Sequence, residues 1–226
     1  MSFGDKVHHI GVVEKDGHEE PYLYVDDADG LMTCVQMGTI EFHGWGARIE
    51  DIEKADRLVF DLDPDEGLDF DAVRAAAFRF RDTLKSIGLE TFPMVTGGKG
   101  VHVIAPLTPR AEWPEVKDFA YRLALAAAKD DPDHFTAALP KAQRKGRIFV
   151  DYLRNQRGAT AILPYSVRAR ANAPIATPVS WTEMKSIEGP SDFRVGDARE
   201  LIRRATSKTL MGWGRADQVL PKLRTP

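Results

Sequence analysis

With 226 residues, 43% of them hydrophobic, the chain can bury one substantial core without a disulfide or metal staple. A single catalytic domain over residues 1–226 is the simplest partition. Cys34 is the one cysteine, which excludes an internal disulfide and a cysteine-built zinc site and suits a reducing interior. No apolar stretch is long enough to span a bilayer, and the opening M-S-F-G-D-K lacks the apolar core of a signal peptide, so a cytoplasmic protein with no membrane partner is expected. The formal net charge of −3 excludes a uniformly basic surface for coating nucleic acid.

In chain order, the apolar runs Tyr22 to Val25 and Gly38 to Phe42 predict strands. Leu58, Val59 and Phe60 predict a strand leading into Asp61 and Asp63, with Pro64 and Gly67 ending it. Phe70, Val73, Ala77, Phe80, Leu84 and Ile87 recur at steps of three and four, so a core-facing helix starts at an Asp69 cap and stops at Gly88. Two further strands, Thr91 to Val95 and Val101 to Ala105, flank a glycine-rich connection. A second helix runs from Pro114 to about Lys129, with Pro132 beyond its end. Ile148 to Val150 and Val167 to Ala169 predict strands, Ala173 to Pro178 an extended crossing, and Ala198 to Ala205 and Ala216 to Leu223 short helices. The alternation gives a mixed α/β class.

Three of these places carry chemistry. A period of two sets Asp61 and Asp63 on one strand face, where two carboxylates suit a hard cation such as Mg²⁺ or Mn²⁺. Asp151 closes another strand-like run and supplies a third acid. In T-G-G-K-G-V-H-V, Gly97, Gly98 and Gly100 leave backbone N–H groups unobstructed, while Thr96 adds a hydroxyl and Lys99 a mobile cation for phosphate oxygens. His102 projects to the strand face opposite Val101 and Val103. The loop is not a Walker A motif, because Gly100 follows Lys99 and the strand-loop-helix context is missing. Lys141, Arg144, Lys145, Arg147, Arg154, Arg157, Arg168 and Arg170 gather around Asp151, and Arg168 and Arg170 share a face of their strand where an anion can sit. The run from Lys141 to Arg147 reads equally as a solvated face.

Together, V-F-D-L-D-P, T-G-G-K-G-V-H-V, the segment from Phe149 to Arg170 and M-G-T-I-E-F-H-G-W from Met37 to Trp45 resemble the polymerase domain of bacterial DNA ligase D, in the archaeo-eukaryotic primase superfamily. The resemblance implies a primase-like core with a mixed or antiparallel sheet flanked by helices. It implies a nucleotidyltransferase that adds nucleotides or ribonucleotides from an NTP or dNTP to a DNA 3′-hydroxyl, in end-joining repair of double-strand breaks in the bacterial nucleoid. Asp61, Asp63 and Asp151 are implied as ligands of two divalent ions, Mn²⁺ before Mg²⁺. Thr96, Gly97, Gly98, Lys99 and His102 are implied on the triphosphate, Arg154 and Arg168 near the incoming nucleotide, and His43 at the rim. The implied partners are DNA ends or primer-template, a ligase and end-binding repair proteins. Family members usually begin before the position corresponding to Met1, with basic and aromatic residues for a DNA 5′-phosphate and the template, so weakened template binding is expected.

Two other readings fit some of the residues. A hydrophobic strand followed by D-x-D is also the nucleophile signature of haloacid-dehalogenase-type phosphohydrolases, with Asp61 attacking phosphorus and Asp63 as acid or base. That scheme leaves the GGKGVH segment without a role. A non-catalytic nucleotide-binding relic or subunit is the third reading.

Overall fold

The computed structural model describes residues 4–222, in two compact units, Met1–Glu41 and Phe42–Pro226. In the first unit, β1 (His8–Val13) and β2 (Glu19–Tyr24) form an antiparallel hairpin, followed by helix α1 (Ala28–Gln36). Asp27 caps α1 by accepting the Gly30 N–H at 2.7 Å. The strand expected over Gly38 to Phe42 is not formed. Met37 closes α1 on the Thr33 carbonyl instead, and Gly38 turns the chain at a φ of 89°.

The second unit is built on a six-stranded sheet. Its strands are β6 (Arg57–Pro64), β7 (Phe92–Val95), β8 (Val101–Pro106), β9 (Phe135–Thr136), β10 (Ile148–Asp151) and β12 (Thr177–Pro178), in the order β12-β7-β8-β6-β10-β9. Each ladder is antiparallel except β9 with β10. Two short ladders complete the set: β3 (His43–Gly44) with β11 (Ala161–Ile162), and β4 (Ala47–Arg48) with β5 (Asp51–Ala55).

The alternation along β6 decides which face becomes what. Leu58, Phe60 and Leu62 are buried in the main core with Val101, Val103 and Ala105 of β8 and Ile148 and Val150 of β10. Helices α2 (Phe70–Ser86) and α3 (Trp113–Asp130) cover that side through Val73, Phe80, Leu84, Val116 and Phe119. Val59 turns to the other face, where it packs with Met94, Ile104 and Ile162, and Asp61 and Asp63 follow on that same side. A one-residue slip would carry the two acids under the helices and expose Leu58, Phe60 and Leu62. Losing those three burials alone would cost on the order of 5–9 kcal/mol, at about 1.5–3 kcal/mol each. The register is therefore held by the core.

Asp69 caps α2 by accepting the Ala72 N–H at 2.9 Å, and α3 starts on a Glu112–Glu115 capping box with a proline in its first turn. A short α4 (Ala198–Ala205) lies near the C-terminal end, as expected. Two other expectations fail. Val167 makes an isolated bridge to Ile175, so Arg168 and Arg170 sit in a loop rather than on a strand, held by the Arg168 N–H on the Pro174 carbonyl at 2.8 Å. Residues 216–222 form no helix, and position 223 lies outside the described residues. The segment has no regular structure and is held by long-range bonds: Gln218 Nε2 donates to the Pro106 and Glu90 carbonyls, and its Oε1 accepts the Glu90 N–H. Those long-range bonds outweigh the local helical pattern.

Candidate active site

Asp61 stands at the centre because its strand does. It is registered opposite His102 on β8 and opposite Asp151 on β10, so three polar side chains from adjacent strands share one face. Asp63 is two residues further along β6, opposite Phe149. His102 Nε2 lies 3.5 Å from Asp61 Oδ2, and its buried Nδ1 has no hydrogen-bond partner. A buried polar nitrogen without a partner is uncommon in a folded protein.

Arg154 follows β10 and crosses between two of the acids. Its Nη2 is 3.5 Å from Asp61 Oδ2, its Nε is 3.4 Å from Asp151 Oδ2, and its Nη1 donates to the Thr160 carbonyl at 3.2 Å. The next residue, Asn155, is 1% exposed and ties this segment to β6: the Val59 N–H donates to its Oδ1 at 2.7 Å, and its Nδ2 donates to the Val59 carbonyl at 2.8 Å. Asp151 accepts the Leu153 N–H at 2.8 Å. Arg144 stacks 3.5 Å over the Phe149 ring, and its Nη1 lies 3.9 Å from Asp63 Oδ2.

These surroundings divide the three carboxyls. Burial pushes Asp61 up, but the charge and hydrogen bond of His102, with Arg154 and Arg168, outweigh it and hold the carboxyl below its ordinary value. Burial raises Asp63, and the charges of Asp61 and Asp151 add to that against Arg144 and Lys99. Burial also raises Asp151, with Asp61 contributing, against the Leu153 N–H and the charges of Arg154 and Arg144. Three mutually repelling hard-oxygen donors on one face fit a divalent cation in chemical type. Among the described residues, no three acid, His or Cys side chains are drawn together around one point as they would be by an ion. Arg154 fills the interval between two of them.

The loop from Thr96 to Gly100 faces this group. Its glycines answer to close approaches: a Cβ at Gly100 would stand 2.4 Å from the Leu62 carbonyl oxygen, and Gly97, at a φ of 66°, would press 2.9 Å onto Arg168 Cγ. The Thr96 hydroxyl donates to the Gly100 carbonyl at 2.9 Å and accepts the Gly98 N–H at 3.2 Å, so it shapes the loop. The Gly97 N–H is taken by the Pro190 carbonyl at 2.8 Å. Arg168 Nη1 donates to the Thr96 carbonyl at 2.8 Å, and Lys99 Nζ reaches the exposed Glu66 at 3.8 Å.

A cleft of about 160 Å³ brings most of the expected residues together: His43, Asp61, Asp63, Thr96, Gly98, Lys99, His102, Arg154 and Arg168 all line it. Gly97 and Asp151 are not on its wall, and Asp151 touches it through Arg154. Arg170, paired with Arg168 in the sequence as a place for an anion, also lines the cleft, whereas nothing in the sequence assigned a role to Arg144 or Asn155. The polar L-R-N-Q-R run just after a buried strand was the available signal for Asn155. Arg157, grouped with the basic cluster around Asp151, pairs with Glu53, Nη2 to Oε1 at 2.8 Å.

With this geometry in hand, the model for the LigD primase-polymerase domain matches residues 2–209. The chain belongs to the LigD primase-polymerase domain family. A multifunctional non-homologous end joining protein LigD from Pseudomonas aeruginosa is 41% identical over 190 residues, covering 82% of this chain and 22% of that protein. A bifunctional LigD from Bacillus subtilis is 30% identical, covering 84% of this chain and 31% of that protein. The chain thus spans about a fifth to a third of the length of these LigD relatives. The polymerase domain of Mycobacterium tuberculosis ligase D, solved in complex with DNA, superposes with a TM-score of 0.82 at 29% identity, over 95% of this chain and 76% of that one. The primase-like α/β fold expected of a LigD polymerase domain is the fold observed. The family also leaves the haloacid-dehalogenase reading of Asp61 without support. Among the described residues, no helix is long and apolar enough to cross a membrane.

Proposed function

We propose that this domain transfers a nucleotide from an NTP or dNTP to the 3′-hydroxyl of a DNA end during end-joining repair. The observation that carries the reading is the register of Asp61 between His102 and Asp151, in one cleft with the Thr96–Gly100 loop and Arg168. Two divalent cations held by Asp61, Asp63 and Asp151, Mn²⁺ or Mg²⁺, would supply the charge that activates the attacking hydroxyl and neutralises the leaving pyrophosphate. The protein's own part is positional and electrostatic. Lys99, Arg168 and Arg170 present cations to the cleft, where triphosphate oxygens would lie, and His102 lines it beside Asp61. The Gly97 and Gly98 N–H groups are taken by the Pro190 carbonyl and the Thr96 hydroxyl, so the expectation of unobstructed loop N–H groups is not met there, and the loop's part is to set Lys99 beside the cleft. His43 on β3 stands on the wall at the rim. The Mycobacterium tuberculosis domain was solved with DNA, which supports a DNA end as the acceptor. A ligase and end-binding repair proteins are the partners this role calls for.

Extension of a labelled DNA strand by NTPs in the presence of Mn²⁺ tests the reading. Nucleotide addition by the wild type and none by Asp63→Ala is the expected result. Phosphate release without extension, with a phosphoenzyme trapped on Asp61, would overturn it.

A further inference from the structure

The cations around the cleft are not held alike. Lys99 meets the exposed Glu66, and Arg144 rests on the Phe149 ring beside Asp63. Arg154 lies against two of the three carboxylates at once, Asp61 and Asp151. Both contacts are loose. Charge-assisted N–H···O bonds run to about 2.7–2.9 Å, whereas these distances are 3.5 Å and 3.4 Å, and Nε is buried with no hydrogen-bond partner. Charge and one long hydrogen bond from Nη1 to the Thr160 carbonyl at 3.2 Å, rather than a locked fork onto the carboxylates, keep the guanidinium in the gap.

The backbone beneath it is fixed. Asn155 clamps the segment to Val59 and Tyr152 through three hydrogen bonds, so any rearrangement at Arg154 belongs to its side chain. That side chain is 39% exposed and lines the cleft shared with Lys99 and Arg168. A firmly anchored Cα with a loosely held charged tip is the arrangement of a group that can change partners.

We infer that Arg154 is an internal counter-cation: its guanidinium spans Asp61 and Asp151 when no metal is bound, and a divalent cation entering between them turns it onto the phosphates of the nucleotide. The inference rests on the metal reading above. Its consequence is a coupling. Without nucleotide, the metal must displace a guanidinium that has nowhere better to go. With nucleotide, the displaced guanidinium gains phosphate oxygens. Nucleotide therefore tightens metal binding through Arg154, and by reciprocity metal tightens nucleotide binding by the same factor.

The experiment is Mn²⁺ binding to the folded domain, followed by the electron paramagnetic resonance of unbound Mn²⁺, with and without NTP and with no acceptor strand. Arg154→Gln should bind Mn²⁺ more tightly than wild type in the absence of nucleotide, by about fivefold or more, and should lose a similar factor of the tightening caused by NTP. Arg168→Gln is the control for simple removal of a nearby charge. Arg168 donates to the Thr96 carbonyl and acts on Asp61 through its charge without spanning two acids, so this variant should shift nucleotide-free Mn²⁺ binding clearly less than Arg154→Gln does. Arg154→Lys keeps the charge but cannot span both acids, and should show both changes at reduced size; it carries the test if the Gln variant does not fold. Unchanged or weaker Mn²⁺ binding in Arg154→Gln, undiminished coupling, or an equal shift in Arg168→Gln would overturn the inference. If Mn²⁺ binding needs the three acids but ignores Arg154, the inference alone falls. If the wild type binds Mn²⁺ no better than a variant with all three acids changed to Asn, the metal reading falls with it.

Discussion

The negative and the positive halves of the cleft are built differently. Asp61 and Asp63 lie on β6, Asp151 ends β10 and His102 sits on β8, so the acids and the imidazole are fixed by backbone ladders whose other face is the hydrophobic core. Lys99, Arg144, Arg154, Arg168 and Arg170 all come from loops. Strands suit groups whose spacing must not change, since moving one acid means moving a core residue next to it. Loops suit groups that must exchange one oxygen partner for another. In this molecule Lys99, Arg144 and Arg154 are each already beside a carboxylate, while Arg168 leans on a carbonyl.

The strand half is the place to break this division most severely. Asp61→Ala, Asp63→Ala and Asp151→Ala should each lower Mn²⁺-dependent nucleotide addition by more than about a thousandfold in a primer-extension assay, with circular dichroism unchanged. Appreciable activity in any one of them would remove that acid from the site. Phe60→Ala attacks the same half from behind. Phe60 is fully buried, packed 4.8 Å from Phe80, and its removal should cost about 3–5 kcal/mol in a denaturant titration. A cost below about 1 kcal/mol would mean the core does not hold the register.

On the loop half the expected effects are smaller and read in binding. Lys99→Ala and Arg168→Ala should each weaken NTP binding by about 1.5–3 kcal/mol in a calorimetric titration with metal present, and His102→Ala should do the same from the strand side. Affinity for a DNA primer should hardly move. Equal NTP affinity in all of them would remove the triphosphate from this cleft. Gly97→Ala is the mildest of the set: a left-handed φ costs an alanine about 1–2 kcal/mol, and its Cβ would push Arg168 Cγ from 2.9 Å. Thermal unfolding should register that cost, and NTP affinity should fall less than it does in Arg168→Ala.

The strand half was also the legible half. Leu58, Phe60 and Leu62 alternate with Val59, Asp61 and Asp63, and a period of two can be read without knowing what lies across the sheet. The pairing of Asp61 with His102 and Asp151 is different information, because register depends on partners far along the chain. The resemblance to the family implied that Asp61, Asp63 and Asp151 share metal ions, but neither it nor the spacing gave the register that sets Asp61 opposite His102 and Asp151. Where local pattern and long-range bonds disagree, the long-range bonds win: residues 216–222 look helical but form no helix, held instead through Gln218. Helix α1 went unread for the opposite reason. Gly30, Thr33 and Val35 are weak helix formers, and what makes the helix is the Asp27 cap together with burial of Gly30 and Cys34. The sequence pairs Arg168 and Arg170 as an anion site from a strand period that the loop does not have, and Arg144 escapes assignment because loop residues carry no period from which a direction can be inferred.

The placement of Asp61 also bears on how the molecule comes into being. Its neighbours His102 and Asp151 lie roughly forty and ninety residues further along the chain. Closing such loops is entropically unfavourable before contacts form, and topologies rich in distant pairings fold slowly. The ladder between β6 and β8 encloses only α2 and β7, whereas β10 must wait for α3 and the chain beyond it. The acids are therefore expected to meet last, with Asn155 fastening the final closure onto Val59. A nascent or partly unfolded copy would carry its helices and most of its core without an assembled carboxylate group, so the capacity to modify a DNA end would arrive only with the completed fold.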